Sequence, residues 1–349
     1  MKLLNNNFSS AFFASSVFAS VAFVVKIFMV TILFTACHNE TGPTKETIIK
    51  TEGAAKIPAP DFNADSAYTF VKSQVDFGPR IPGTKSHRNC AEYLVAKLKS
   101  YGWQVTVQKG TVQTYDKKQF SLKNIIAEYK PDLANRILLT SHWDTRPWAD
   151  LDTINKTKPF DGADDGASGV AVLVELARQL SLSKIEKGID IILFDIEDYG
   201  QESSRSQENP QKDTWCLGSQ YWATHLHKPD YYAKYGILLD MVGGKDPVFP
   251  KEGTSMVYAP EIVENIWKVA SNMGYGKYFT NEISGETTDD HLYVNTLANI
   301  KCIDIVHYEV AKHNYPYYHH AHSDNMNVID KNTLKMVGQL LLEVIYSDK

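Results

Sequence analysis

Apolar residues in this chain recur with two periods. Between residues 86 and 101, Tyr93, Leu94, Leu98 and Tyr101 follow helical spacing, and Gly102 supplies a stop. Residues 61–77 have a similar pattern, opening at Asp61 or Asp65 and closing near Gly78-Pro79. Residues 170–182 predict an amphipathic helix with Val170, Leu173, Leu176, Ala177 and Leu180 on one face, and residues 334–346 predict the last helix. Segments 103–108 and 122–129 read as strands. Three short apolar runs, 137–140, 189–194 and 237–239, read as buried strands, and each leads directly into histidine or acidic residues. Residues 255–258 and 300–307 read as later strands, and the polar stretch 201–213 as a surface loop. Strands alternating with helices predict an α/β domain, a three-layer α/β/α arrangement around a central, mostly parallel mixed sheet.

The N-terminus follows another pattern. Lys2 and the polar Asn5 to Asn7 precede a long apolar stretch that ends at Phe34-Thr35-Ala36-Cys37. Small residues before a cysteine, after an apolar run, look like the lipobox of bacterial lipoproteins, and Lys26 argues against one clean membrane span. Residues 1–37 are therefore expected to be a lipoprotein signal peptide lipidated at Cys37. Residues 38–60, rich in Thr, Lys and Pro, are expected to be a flexible tether, and residues 61–349 one folded domain. This places the protein in the bacterial cell envelope, periplasmic or at the outer membrane, touching the membrane through its lipid only. A net charge of -5 without a basic block gives no support for nucleic-acid binding. The remaining cysteines, Cys90, Cys216 and Cys302, lack Cys-x-x-Cys spacing and are expected to be buried free thiols.

The chemistry lies in five short segments: His142-Trp143-Asp144, Gly162 to Gly169 with Asp164 and Asp165, Asp195 to Asp198, Leu239-Asp240, and His319 to Asp324. Taken alone, Asp164-Asp165 would be an acidic helix start complementing the helix dipole. Combined with Glu197-Asp198 and Asp240 beyond other buried strands, it makes a set of carboxylates whose burial costs several kcal/mol without a cation. Zinc takes carboxylate oxygen and imidazole nitrogen, and the run His319, His320, His322 supplies an imidazole, although spacing does not say which. Glu197 and Asp198 are adjacent on an extended segment, so one can bind metal while the other faces substrate as a general base.

Together these segments resemble the zinc exopeptidase superfamily, and within it the glutaminyl-peptide cyclotransferase branch, from about Phe77 to the C-terminus. Phe77-Gly78-Pro79-Arg80-Ile81-Pro82-Gly83 is similar to the family's entry motif, and Gly162-Ala163-Asp164-Asp165 to its metal-aspartate turn. The resemblance implies Asp165, Asp198 and His320 as metal ligands and Glu197 as base. Asp198 stands where many relatives carry Glu. His320 is singled out because the family's metal histidine lies four residues before an Asp, here Asp324. His142 and Asp144 match the His-x-Asp that supports a second zinc in aminopeptidases, with Asp240 able to complete it. Leu238 to Gly244 and Asp246 to Pro250 resemble the cyclotransferase strand and loop, and Asp289 stands where peptidases of the superfamily usually carry Ser. His319 occupies a place where many cyclotransferases carry Trp, leaving Trp143, Trp148, Trp215, Tyr317 and Tyr318 as candidates for that pocket wall.

What the resemblance implies is a zinc enzyme acting on peptides or proteins with an N-terminal Gln. It would form pyroglutamate and release ammonia, with Glu197, Asp240 and Asp289 as the catalytic residues. The alternative is a zinc aminopeptidase using the same pocket with a second metal. An inactive envelope-tethered binding protein is disfavoured by the full set of acids.

Overall fold

The computed structural model describes residues 58–183, 185–201, 211 and 213–348. The expected signal peptide, nearly all of the tether and most of the 201–213 loop lie outside the described residues. Among the described residues no helix is long and apolar enough to cross a membrane.

In chain order the elements are α1 (Ala64–Val75), α2 (Lys85–Ser100), β1 (Gln104–Gln113), β2 (Gln119–Tyr129), β3 (Arg136–His142), α3 (Ala167–Ser181), β4 (Gly188–Phe194), α4 (Leu217–Thr224), β5 (Tyr235–Asp240), β6 (Phe249–Lys251), α5 (Gly253–Tyr258), α6 (Pro260–Asn272), β7 (Phe279–Ile283), α7 (Asp290–Thr296), β8 (Cys302–Val306) and α8 (Lys331–Ser347). Six strands form one sheet in the order β1-β2-β4-β3-β5-β8, and β6 and β7 form a separate small one. Neighbours from β4 through β8 are parallel, while β2 runs against both β1 and β4. The sheet is thus mixed and mostly parallel, as the α/β pattern predicts.

Alternate residues of the central strands feed different cores. Ile137, Leu139, Ile191 and Leu193 pack toward α1, α3 and α8, whereas Leu138, Ile192 and Phe194 pack with Trp222 of α4 and Val294 of α7. Because both faces are covered, the three short runs read as continuous apolar sequence rather than alternation.

Several expectations need correction. Residues 255–258 belong to helix α5, not a strand. Glu252 precedes that helix, and its carboxylate accepts the backbone N–H of Thr254 and Ser255, satisfying two free donors of the first turn. The α1 cap is Asn63 rather than Asp61 or Asp65; it accepts from the Ser66 N–H. The helix over 170–182 is not half-exposed: α3 buries nearly every position because α1 and α8 cover the side facing away from the sheet. Helices α4, α6 and α7 and the β6–β7 pair went unread in the sequence.

Helix α3 can approach the sheet closely because Gly169 has no side chain. A Cβ there would lie 2.4 Å from Ser141 Oγ and 2.5 Å from the Leu239 carbonyl oxygen. The latter is backbone and cannot rotate away. Gly169→Ala is expected to destabilise the fold by about 1–3 kcal/mol through overpacking. Gly276→Ala, whose nearest neighbour is the Ser271 hydroxyl at 3.7 Å, should change it by less than about 0.5 kcal/mol. Denaturant unfolding of both variants checks the difference.

Candidate metal centre and active site

The parallel strands β3, β4, β5 and β8 end on one edge of the sheet, and ligands of open α/β sheets bind beyond such ends. His142 is the last residue of β3, Asp195 to Asp198 follow β4, and Asp240 ends β5. Asp165 immediately precedes Gly166, the N-cap of α3. Left-handed backbone recurs in these segments: Gly162 (φ 58°), Gly166 (φ 88°), Ile196 (φ 55°), Met241 (φ 48°) and His320 (φ 50°). For β-branched Ile196 this conformation costs on the order of 1–3 kcal/mol, and it turns the chain sharply just before Glu197.

The side chains converge on Asp165. Its Oδ1 lies 3.1 Å from His142 Nε2, and its Oδ2 lies 3.6 Å from His320 Nε2. His320 Nε2 is also 3.0 Å from Asp198 Oδ1, and His142 Nε2 is 3.3 Å from Asp240 Oδ1. Asp165 therefore faces two clusters, one with Asp198 and His320, the other with His142 and Asp240. His319 also comes within ligand reach, its ring stacked on His320 at 3.7 Å between centroids. His322 turns away and binds Asp152 at 2.7 Å.

This donor set fits a divalent cation on its own geometry. Asp165 Oδ2 and Asp198 Oδ1 are buried, lack hydrogen-bond partners, and both face His320 Nε2. Buried carboxylate oxygens are normally satisfied, and a metal would satisfy both. The other nitrogen of the His320 ring, Nδ1, lies 3.5 Å from Asp150 Oδ1, the arrangement by which a carboxylate orients a metal-binding imidazole. Asp150 is itself gripped by the buried Arg146 guanidinium at 2.8 and 2.7 Å, and the Arg146 backbone N–H donates to Asp198 Oδ2 at 2.8 Å.

Two further aspartates hold these segments in place. Asp144 accepts the backbone N–H of Glu197 (3.1 Å) and of Asp198 (3.3 Å), joining the end of β3 to the end of β4. Asp324 accepts the backbone N–H of Asp164 (2.8 Å) and of Asp165 (3.2 Å), joining the His320 loop to the start of α3.

Charge crowding perturbs the site. Burial and neighbouring acids push Glu197 well above the ordinary carboxylate range, and burial and Asp240 push Asp289 up to about 7. Burial opposes a charged His320, but Asp198 and Asp150 raise it to about 9. Burial likewise opposes a charged His142, yet Asp144, Asp165 and Asp240 hold it well above its usual value. A bound cation would reverse the upward shifts of the carboxylates around it.

These groups floor a cleft of about 750 Å³, lined also by Trp215, Tyr315 and Leu151. Asp240, Asp289 and Glu197 all face it, so the structure gathers every expected catalytic residue. Of the candidate wall aromatics, only Trp215 lines the cleft. Its ring runs parallel to His320, with centroids 6.0 Å apart. Trp143 is a core residue stacked on His87, Trp148 packs on Arg146, Tyr318 is buried against Asp164, and Tyr317 is exposed and does not line the cleft. Sequence reasoning missed Asp150 and Arg146 entirely, since nothing in their spacing marks them. Asp324 was visible only as a motif neighbour.

The model of peptidase family M28 matches residues 124–345, and the chain belongs to that family. Among solved structures, glutaminyl cyclase of Bacteroides thetaiotaomicron bound to N-acetylhistamine is 50% identical, with TM-score 0.80, covering 84% of this chain and 100% of that one. A Zn-dependent exopeptidase from Parabacteroides distasonis is 48% identical, with TM-score 0.81, covering 83% of this chain and 100% of that one. A glutaminyl-peptide cyclotransferase of Drosophila melanogaster is 28% identical over 178 residues, which span 49% of this chain and 46% of that protein. The match thus covers less than half of that relative's length. The solved structures it resembles thus include both a glutaminyl cyclase and a zinc-dependent exopeptidase.

His320→Ala is expected to lower metal content and activity together, because it removes the imidazole shared by the two unpartnered carboxylate oxygens. His322→Ala should leave both near wild type, since that ring bonds Asp152 instead. Elemental analysis of the purified variants, alongside turnover, checks the pair; full metal occupancy in His320→Ala would move the ligand role to His319.

Proposed function

We propose that this chain is a zinc-dependent glutaminyl-peptide cyclotransferase, converting the N-terminal Gln of peptides or proteins to pyroglutamate with release of ammonia. The observation that carries the reading is the carboxylate of Asp289. It lies in the cleft within 4.8 Å of the Glu197 carboxylate, at a position where peptidases of the superfamily usually carry Ser. The high identity to a bacterial glutaminyl cyclase supports it.

Asp165, Asp198 and His320 are the residues that would hold the metal. Zinc held there would supply positive charge toward the γ-carbonyl oxygen of the substrate Gln. Glu197, set beside the ligand Asp198, accepts a proton from the attacking α-amine and returns it to the departing ammonia. Asp240 and Asp289 hold the amine and the side-chain amide in a curled pose. Because the attack is unimolecular, this positioning supplies much of the rate. Trp215 and Tyr315 wall the site and help exclude water, the competing nucleophile. The sequence features of residues 1–60 support a lipid anchor at Cys37 and a tether, which would hold the enzyme at the bacterial cell envelope.

One observation favours a second reading. His142 Nε2, Asp165 and Asp240 form another group with ligand atoms within 4.8 Å, able to hold a second metal as an aminopeptidase requires. In the cyclotransferase reading this cluster stays metal-free, and His142 serves as the positive partner of Asp165 and Asp240.

Incubating the enzyme with a Gln-initiated peptide and an Ala-initiated peptide, then weighing the products, distinguishes the two. The expected result is loss of ammonia from the first and an uncut second, with one zinc per chain. Steady release of free N-terminal residues, with two metals per chain, would replace the cyclase with the aminopeptidase. Glu197→Gln should retain zinc and lose on the order of 10²-fold or more in turnover. Asp289→Ser should retain zinc and lose at least roughly tenfold in pyroglutamate formation, the equivalent of one charge-assisted hydrogen bond.

A further inference from the structure

The carboxylate of Glu197 is poorly tethered for a group that must move a proton at a defined point. Its Oε2 lies 3.9 Å from His142 Nδ1, too far for a hydrogen bond. Its Oε1 lies 3.2 Å from Cys216 Sγ, and that thiol is the one hydrogen-bond donor to this carboxylate among the described residues. Cys216 is a free, fully buried cysteine.

Cys216 is joined to Glu197 twice. Its backbone N–H donates to the Glu197 carbonyl oxygen at 2.9 Å, and the next N–H, of Leu217, donates to the Ile196 carbonyl at 3.0 Å. The two strained turns therefore dock on each other: Ile196 at φ 55° before the base and Cys216 at φ 57° as N-cap of α4. The left-handed conformation is uncommon for a residue other than Gly, Asn or Asp, and here it accompanies a side chain aimed at a reacting group. A Gly at this position would relieve the strain but remove the donor.

We propose that the Cys216 thiol is a positioning residue that holds the Glu197 carboxylate in its working orientation by donating an S–H···O hydrogen bond to Oε1. Burial and the surrounding carboxylates push the thiol well above its usual range, so it keeps its proton and remains a donor. A thiolate would repel Glu197. Oε2 is then left free to face the substrate amine. The same carboxylates make Cys216 a poor nucleophile, since the thiolate is the reactive form. The inference rests on Glu197 acting as the base, a role it would hold in cyclase and aminopeptidase alike.

The test combines kinetics with a spectroscopic readout. Cys216→Ala removes the donor and should lower kcat by roughly tenfold to a hundredfold, the scale of a misplaced catalytic group, with KM and zinc content near wild type. Cys216→Ser keeps a donor of similar size and should restore most of kcat. The S–H stretching region of the infrared spectrum is free of other protein bands. The wild-type minus Cys216→Ala difference should show a hydrogen-bonded S–H band, and Glu197→Ala should shift that band to higher frequency. An unmoved band, or a Cys216→Ala enzyme with undiminished kcat, overturns the proposal. The two failures are distinguishable: undiminished turnover in Glu197→Gln removes the base reading, whereas a large loss in Glu197→Gln beside an unaffected Cys216→Ala enzyme removes only the role given to Cys216.

Discussion

Asp144 and Asp324 each accept two consecutive backbone N–H groups from a different segment of the chain. The segments they grip carry residues of the proposed site: the base Glu197 and the ligand Asp198 in one case, the ligand Asp165, after Asp164, in the other. These loops leave the sheet and helix ladders while still buried, so their amides need partners from elsewhere. A carboxylate meets that need with charge-assisted bonds and a fixed geometry. Both aspartates are fully buried. Everything else at the site depends on these two clasps, because Asp165, Asp198 and His320 are adjacent in space only while the loops stay joined.

The clasps bring negative charge together against its own repulsion. Asp165, Asp198, Asp240, Glu197 and Asp289 border one cleft, with His142 and His320 set among them. The histidines take part of the charge, and the two unpartnered oxygens beside His320 mark where a cation belongs. Around this core the chain adopts conformations it would avoid elsewhere, at Ile196, Met241, Cys216 and His320. The surrounding layers hold these residues in place: α3, packed tightly on β3 and β5 through Gly169, and α4, docked under Glu197 through Cys216. A scaffold covered on both faces is rigid enough to carry such local strain.

Residues packed behind these side chains then divide the work. Arg146 reaches Asp150 with its guanidinium and Asp198 with its backbone N–H, so one residue steers both the imidazole and a carboxylate of the proposed metal set. Its guanidinium also lies 4.6 Å from the Trp215 ring, which runs parallel to His320 and walls the cleft. The arrangement of the proposed metal-holding residues and the shape of the pocket are thereby coupled through one buried guanidinium.

Much of this was legible before any fold was known, for a physical reason. Buried strands must be apolar, so 137–140, 189–194 and 237–239 announced themselves, and acids directly after them had to lie at one sheet edge. Those local facts placed His142, Glu197, Asp198 and Asp240 as candidates, and the acidic helix start Asp164-Asp165 joined them, with the resemblance selecting Asp165. The resemblance chose His320 from three histidines and added Asp289. Residues 255–258 misled because four residues cannot distinguish a β-rich run from a short helix whose cap, Glu252, lies outside that window. What tertiary structure alone decided are the contacts between segments far apart in the chain. They include Asp150 behind His320, Asp324 beneath Asp165, Trp215 as the wall in place of four other aromatics, and the Cys216 thiol on Glu197. Hydrophobic period and turn chemistry act over a few residues. These contacts span 19 positions for Cys216 on Glu197 to 170 for Asp150 behind His320, and no local pattern encodes them.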